Sequence, residues 1–224
     1  MEHITFDILS ELPLFYGIGH KEMEDFIRDV PYRIRNFNPG DTLAMQDQSC
    51  SSLFIPFKGV LSVQTYSDNK RYSFQEFLQA PVALQPESLY GIAPRYTHTY
   101  TAQTEVRALI LPKDSVTTLF REIEIFRLNT VNLLATKIYR LQKKATHDLS
   151  GNTSQRIVRF IINHASYPAG EKTLFISMSH LAIQLNDTRL NISLALREME
   201  RKGLVLLQRR KIIVPALEKL IKNI

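Results

Sequence analysis

The spacing of apolar residues changes twice along this chain, and each change marks a new kind of structure. Residues 6–28 carry apolar side chains in short helical bursts broken by Pro13 and two glycines, which predicts two or three short helices. Residues 32–111 instead carry short runs of β-branched and aromatic residues, separated by turn sequences such as NPGD at 38–41. Closely spaced strands of this kind predict a β-sandwich or jelly-roll barrel with flanking helices.

The pattern becomes helical after Pro112 and stays so as far as residue 147. In its second half the apolar residues alternate three- and four-residue steps, which is the heptad spacing of a helix that packs against a twin. A helix that only closes its own barrel remains the alternative, although it would usually show a broader apolar face. The predicted dimer interface consists of Val131, Leu134, Ile138, Leu141 and Ala145.

A polar stretch with a glycine at residues 146–153 ends this helix and predicts a hinge between domains. We therefore predict an α+β protein with three parts. Residues 1–112 form an effector or sensor-like β-barrel domain, residues 113–147 form the dimerisation helix, and residues 148–224 form a winged helix-turn-helix domain.

Residues 178–205, MSHLAIQLNDTRLNISLALREMERKGLV, predict the helix-turn-helix. Ser179 is expected to cap the first helix, Asn186 to adopt the left-handed backbone of the turn, and Thr188 to cap the second helix. The small Ala182 suits two helices that cross closely. The inward face of the second helix is predicted to be Ile192, Ala195, Leu196 and Met199.

The second helix and the hairpin that follows carry side chains suited to DNA. Arg189 can hold guanine in a bidentate contact and Asn191 can hold adenine in the same way. Residues 205–214 read as a wing with a basic tip that suits phosphates, although a solvated hairpin tip is the simpler alternative. The predicted DNA-binding residues are Ser179, Thr188, Arg189, Leu190, Asn191, Ser193, Arg197, Arg209, Arg210 and Lys211.

The charge distribution supports a polyanionic partner for the last third of the chain. Lys and Arg balance Asp and Glu at 16 against 16 over residues 1–146, but outnumber them 12 to 6 over residues 147–224. The whole excess of +6 therefore lies in the predicted helix-turn-helix domain. No Trp- or Phe-rich face accompanies it there, which favours nucleic acid over a membrane.

Several other classes of protein fit the sequence poorly. No apolar run is long enough to cross a bilayer and the first ten residues carry acids, so we expect a cytoplasmic protein without a membrane partner. The single Cys50 excludes an internal disulfide and a cysteine-ligated iron-sulfur cluster within one chain. His180 is expected to face solvent, and no nucleophile elbow or phosphate-cradling glycine loop is present, so no enzyme is predicted.

Within the barrel stretch the only histidine is His98, so a metal site is not predicted. One axial histidine can suffice for haem, which leaves a haem ligand open. The residues predicted to line an effector pocket are Leu84, Arg95 and His98.

The order of these parts resembles the CRP/FNR family of transcription regulators over nearly the whole chain. The resemblance rests on NPGD at 38–41, KGV at 58–60, the long helix that ends near His147, and the helix-turn-helix with its wing. It implies a homodimer that senses a small molecule, or a redox or gas signal, in its barrel. It also implies binding to palindromic double-stranded DNA, with control of transcription by RNA polymerase.

Two departures from the family pattern matter. Residues 81–101, PVALQPESLYGIAPRYTHTYT, lack in register the Gly-Glu pair and the Arg followed by Ser or Thr that hold the ribose and phosphate in nucleotide-binding members. Because a buried anion would then lack charged partners, the sequence argues against cyclic AMP. In the second helix, the family's usual Glu and second Arg are replaced by Leu190 and Leu194, and Leu190 can instead contact a thymine methyl.

Three functions are therefore compared. The first is a DNA-binding transcription regulator. The second is a small-molecule-binding regulatory module that acts through protein partners, which would bind DNA weakly and without sequence preference. The third is a barrel enzyme, which would need a stoichiometric metal and turnover that depends on His98.

Overall fold

The structure is a computed structural model that describes residues 4–145 and 151–223. A short 3-10 helix at Pro86–Ser88 lies between its fifth and sixth strands. The helices and strands follow the chain in the order α1 (Phe6–Ser10), α2 (His20–Asp29), β1 (Arg33–Phe37), β2 (Thr42–Ala44), β3 (Ser52–Lys58), β4 (Val60–Tyr66), β5 (Ser73–Gln79), β6 (Thr99–Ala102), β7 (Val106–Pro112), α3 (Lys113–Glu122), α4 (Glu124–Ala145), α5 (Thr153–His164), β8 (Lys172–Phe175), α6 (Met178–Gln184), α7 (Arg189–Arg201), β9 (Leu206–Gln208), β10 (Lys211–Val214) and α8 (Leu217–Lys222).

The chain folds as two compact units, which we call the N-terminal and C-terminal units. The N-terminal unit comprises Met1–Ser62 with Leu78–Tyr139, and the C-terminal unit comprises Val63–Phe77 with Arg140–Ile224. The domain boundaries expected from the sequence, after residues 112 and 147, stay a prediction, and residues 146–150 of the predicted hinge lie outside the described part of the chain.

Short antiparallel strands form the framework of the N-terminal unit, as the sequence predicts. Strand β7 pairs with β1 on one side and with β3 on the other, while β2 pairs with β6. β-Branched and aliphatic residues alternate along β3 and β7, and their inward-facing members are buried. The predicted flanking helices are present as α1 and α2.

Aromatic packing joins these helices to the start of α4. The ring of Phe15 lies 5.2 Å from the rings of both Phe26 in α2 and Phe126 in α4. The Asn129 amide of α4 donates to the carbonyl oxygens of Leu14 and Tyr16. The first turns of α4 are therefore part of the N-terminal core.

The continuous helix expected after Pro112 is instead two helices, α3 and α4, separated by the extended backbone of Ile123. Of the predicted seam on α4, Val131, Ile138 and Leu141 are exposed and Leu134 is half-buried. Ala145 ends the helix, and its side chain falls outside the described part. None of the helices described here is both long and apolar enough to span a bilayer.

The C-terminal unit contains a sheet in the order β5-β8-β10-β9, covered by α5, α6, α7 and α8. Its first strand comes from the hairpin at Val63–Phe77, which interrupts the N-terminal unit in sequence. In β5, Ser73 lies opposite Phe175 of β8 and Glu76 lies opposite Lys172. The sequence predicts β5 as a strand of the barrel but gives no sign of this pairing.

A buried ion pair fixes that strand. The Glu76 and Lys172 side chains are only 3% and 1% exposed, and Lys172 Nζ lies 2.9 Å from Glu76 Oε2. Glu76 also accepts hydrogen bonds from the backbone N–H groups of Ser166 and Tyr167, and Lys172 donates to the Ala169 carbonyl. Every partner that a buried charge requires is therefore supplied within the C-terminal unit.

Candidate nucleic-acid interface

Helix α6 begins two residues earlier than expected. Its cap is Ser177, whose backbone is extended and whose hydroxyl accepts from the His180 N–H at 3.2 Å. The prediction that Ser179 is the cap is wrong, because Ser179 already lies inside the first turn, where the backbone is helical. Its side chain is exposed.

The turn between α6 and α7 has the predicted geometry. Asn186 adopts a left-handed backbone with φ of 48°, which asparagine tolerates better than most residues. The Asp187 N–H donates to the Ala182 carbonyl at 2.9 Å, and Ala182 is buried as expected. The Thr188 hydroxyl accepts from the Asn191 N–H at 3.1 Å, which confirms Thr188 as the cap of α7.

The side chain of Asp187 organises this turn. It accepts from the Thr153 hydroxyl at 2.7 Å, the Asn191 amide at 2.8 Å and the Thr188 N–H at 2.7 Å, and it forms an ion pair with Arg156 of α5. These contacts hold the pKa of Asp187 below its usual range, the Thr153 hydroxyl having the largest effect and the Asn191 amide the next. The sequence analysis assigned Asp187 only to the turn and missed the staple between α5 and α7.

Replacing Asp187 by alanine is expected to lower the free energy of unfolding by about 2 to 3 kcal/mol, because the charge-assisted hydrogen bonds are lost. The folded-state pKa is depressed, so the contribution of Asp187 is complete above its unfolded pKa of about 4. It disappears as the pH falls through the folded value. Urea unfolding at neutral and acidic pH measures both effects.

The Asp187→Asn variant is the matched control, since it keeps the shape of the side chain but cannot titrate. Its stability should fall less than that of the wild type as the pH drops below about 4. Equal losses in the two proteins would contradict the role assigned to the carboxylate.

Helix α7 presents one buried face and one exposed face. Ile192, Ala195, Leu196 and Met199 are all buried, as predicted. Among the predicted DNA-binding residues of this helix, Ser193 is half-buried and the exposed ones are Arg189, Leu190, Asn191 and Arg197. The Asn191 amide already gives one N–H to Asp187, so any base contact has to use its oxygen and its other N–H.

The hairpin after α7 has the form of the predicted wing. Gly203, with φ of 68°, ends the helix; its N–H donates to the Glu200 carbonyl, and the next N–H donates to the Met199 carbonyl. Strands β9 and β10 pair in antiparallel fashion. Arg209 and Arg210 form the exposed tip, and the Lys211 ammonium lies 5.5 Å from the Phe175 ring centre.

In the N-terminal unit, the three residues assigned to an effector pocket differ in their surroundings. Leu84 is buried, His98 is half-buried with its ring 6.2 Å from that of Tyr100, and Arg95 is exposed. Arg95 donates to the Asp47 carbonyl at 2.6 Å. The membership of these three residues in one pocket stays a prediction.

A small apolar cavity in the N-terminal unit includes none of those three residues. It lies between the 3-10 helix and helices α3 and α4, and its lining includes Pro86, Leu89, Phe120, Phe126 and Leu134. This cavity therefore connects the loop segment after β5 with the helix that carries the predicted dimer seam.

The sequence analysis misplaced one histidine and missed its neighbours. His180 was expected to face solvent but is buried, because its ring packs 6.0 Å from the Tyr72 ring of the hairpin at Val63–Phe77. The Tyr72 hydroxyl is 3.0 Å from His164 Nε2, and burial lowers the pKa of His164. Across residues 4–145 and 151–223, no group of three or more His, Cys, Asp or Glu could hold a metal ion.

Comparison with protein families gives two matches in consecutive parts of the chain. Residues 34–123 match the cyclic nucleotide-binding domain family. Residues 155–222 match the Crp-like helix-turn-helix domain family. Among curated protein sequences, none matches this chain.

Solved structures share the fold at low identity. A transcriptional regulator of the CRP/FNR family from Eubacterium rectale is 19% identical with a TM-score of 0.53, covering 94% of this chain and 97% of its own. The catabolite activator protein of Thermus thermophilus is 15% identical with a TM-score of 0.51 at the same coverage. CprK in complex with OCPA is 16% identical with a TM-score of 0.52, covering 91% of this chain and 93% of its own.

Proposed function

The chain belongs to the CRP/FNR family of transcription regulators, and from this premise we propose that it is a homodimeric, sequence-specific DNA-binding regulator. The observation that carries the proposal is the exposed face of α7. That face lies beside a capped turn and a wing with two exposed arginines, in the part of the chain that holds the whole excess of positive charge.

The two parts of this surface have different roles. Helix α7 enters the major groove and places Arg189 and its neighbours against base edges. Arg209, Arg210 and Lys211 lie against phosphates, where they add affinity without sequence preference. Ser179 and Thr188, at the start of each helix, also contact the backbone of the DNA.

The exposed apolar seam on α4 supports the homodimer. Val131, Ile138 and Leu141 are exposed in the single chain, and pairing with a second copy would remove them from water. Two recognition helices related by a two-fold axis then bind a palindromic site. Such a regulator acts in the cytoplasm, where the DNA and RNA polymerase are, and the proposal gives it no catalytic role.

The control signal is proposed to be a small molecule, or a redox or gas signal, sensed in the N-terminal unit. Gln85 is buried, and its amide oxygen accepts from the Thr97 N–H at 3.1 Å. These residues lie in the segment that would hold a cyclic nucleotide, which supports a different ligand. Glu87 of the adjoining 3-10 helix pairs with Lys137 of α4, which offers a path from this segment to the dimer helix.

Selection from a random pool of DNA duplexes by the whole chain at low salt tests the proposal. We expect an enriched palindromic sequence that a footprint confirms. Weak binding without sequence preference would favour instead a regulatory module that acts through protein partners.

Separate roles for α7 and the wing predict separate mutational effects. Arg189→Ala is expected to cost about 1 to 3 kcal/mol at one base position and to relax the preference there. Neutralising Arg209 and Arg210 together should weaken all sequences alike and reduce the salt dependence of binding. Binding titrations on selected and scrambled duplexes at several salt concentrations distinguish the two. Equal loss on both duplexes for Arg189→Ala would contradict this division.

A further inference from the structure

Two leucines occupy the most outward position on helix α7. Leu190 and Leu194 are 67% and 56% exposed. Because each residue turns the helix by about 100°, the two side chains are only about 40° apart, and both point away from the buried face that contains Ile192 and Met199. Arg189 and Asn191 extend from the two sides of this row.

The surroundings of the leucines restrict what can cover them. Arg197 and Arg201 continue the same row one and two turns further on, and both are exposed. An occupant therefore has to combine negative charge with small apolar groups. A specific protein interface buries roughly 1,200 Å² or more, and two leucines in a field of arginines supply little of that as apolar surface. The major groove provides phosphates and the C5-methyl groups of thymine together.

We propose that Leu190 and Leu194 are specificity-determining residues that recognise thymine through its C5-methyl group. The inference rests on the DNA-binding function proposed above and adds the bases that α7 reads at its centre. Because the leucine side chains offer no hydrogen bond, they discriminate by burying a methyl group, and cytosine, which lacks one, is disfavoured at the same positions.

Deoxyuridine tests the inference, since it differs from thymidine only by the missing methyl group. Each thymidine of the duplex selected by the whole chain is replaced singly, and binding is titrated. At one or two positions in each half-site, affinity should fall about fourfold, which corresponds to about 0.8 kcal/mol for one buried methyl group. The remaining thymidines should tolerate the change.

The leucine variants show whether these side chains sense the methyl group. In the Leu190→Ala and Leu194→Ala variants, the fourfold difference at the corresponding position should fall to less than about 1.5-fold. Ile221→Ala is the matched control, because Ile221 is an exposed aliphatic residue on α8, outside the helix-turn-helix and wing; it should keep the full difference.

The outcomes separate this inference from the proposed function. A selected sequence that tolerates deoxyuridine everywhere, or an effect that survives both leucine variants, would overturn methyl recognition and leave sequence-specific binding intact. Failure to select any sequence would remove the proposed function itself. Methyl sensitivity that disappears in the leucine variants alone would support both.

Discussion

Glu76→Ala is expected to lower the free energy of unfolding by about 3 to 5 kcal/mol, because it leaves a buried ammonium without its counter-ion. Lys172 is 1% exposed, and Glu76 supplies the only opposite charge in its ion pair. The change also leaves the Ser166 and Tyr167 N–H groups without the carboxylate that accepts from them. Denaturant unfolding of the variant measures the loss.

Glu171→Ala is the matched control for this prediction. Glu171 precedes Lys172 in sequence and is exposed, so its loss should change stability by less than about 0.5 kcal/mol. A cost below about 1 kcal/mol for Glu76→Ala would contradict the burial of Lys172, because a solvated lysine needs no partner.

Replacing both charges tests which part of the cost comes from the unpaired lysine. In the Glu76→Leu, Lys172→Met double variant no buried charge remains, so most of the loss should be recovered. About 1 to 3 kcal/mol should persist, because the Ser166 and Tyr167 N–H groups stay unsatisfied. Hydrogen exchange at residues 73–76 would show whether β5 still pairs with β8.

The pairing of β5 with β8 also shows where the sequence stops being informative. Residues 71–77 look like any half-buried strand, and nothing local says that the partner lies about a hundred residues further along the chain. Glu76 and Lys172 are residue types that usually lie on the surface. Their burial depends on each other, so neither could be identified before the strands were placed.

The helix-turn-helix could be predicted in more detail because its signals are local. The left-handed Asn186, the cap Thr188, the terminating Gly203 and the buried face of α7 all depend on residues within a turn or two of one another. Ser179 was wrong because two serines stand two positions apart and only the backbone shows which one caps the helix. The neighbours of His180 come from the distant hairpin at Val63–Phe77, so its burial could not be read from α6 alone.

The candidate reading surface divides in the same way. The sequence identifies α7 and its exposed residues correctly, but it emphasises Arg189 and Asn191 because their side chains can form bidentate contacts. The structure adds that Asn191 already serves the turn through Asp187 and that Leu190 and Leu194 lie at the centre of the outward face. Which side chain points furthest from the core depends on how the helix sits in its own domain, which the burial of Ile192 and Met199 establishes.

Ile138→Lys combined with Leu141→Lys is expected to convert the proposed dimer into monomers and to weaken binding to a two-half-site duplex by about 100-fold or more. Both side chains are exposed on one face of α4, and burying like charges across a two-fold axis is strongly unfavourable. Sedimentation measures the assembly and titration measures the affinity. Binding to an isolated half-site should stay unchanged, because α7 and the wing are untouched.

The control places a lysine on the same helix but away from the seam. Thr136 is exposed and lies nearly opposite Ile138 and Leu141 around α4, so Thr136→Lys should leave both assembly and affinity as they are. If the double lysine variant remains a dimer, the seam on α4 is not the interface. The exposed leucine and isoleucine side chains would then have to be covered by another partner, since unpaired apolar rows on long helices are costly to leave in water.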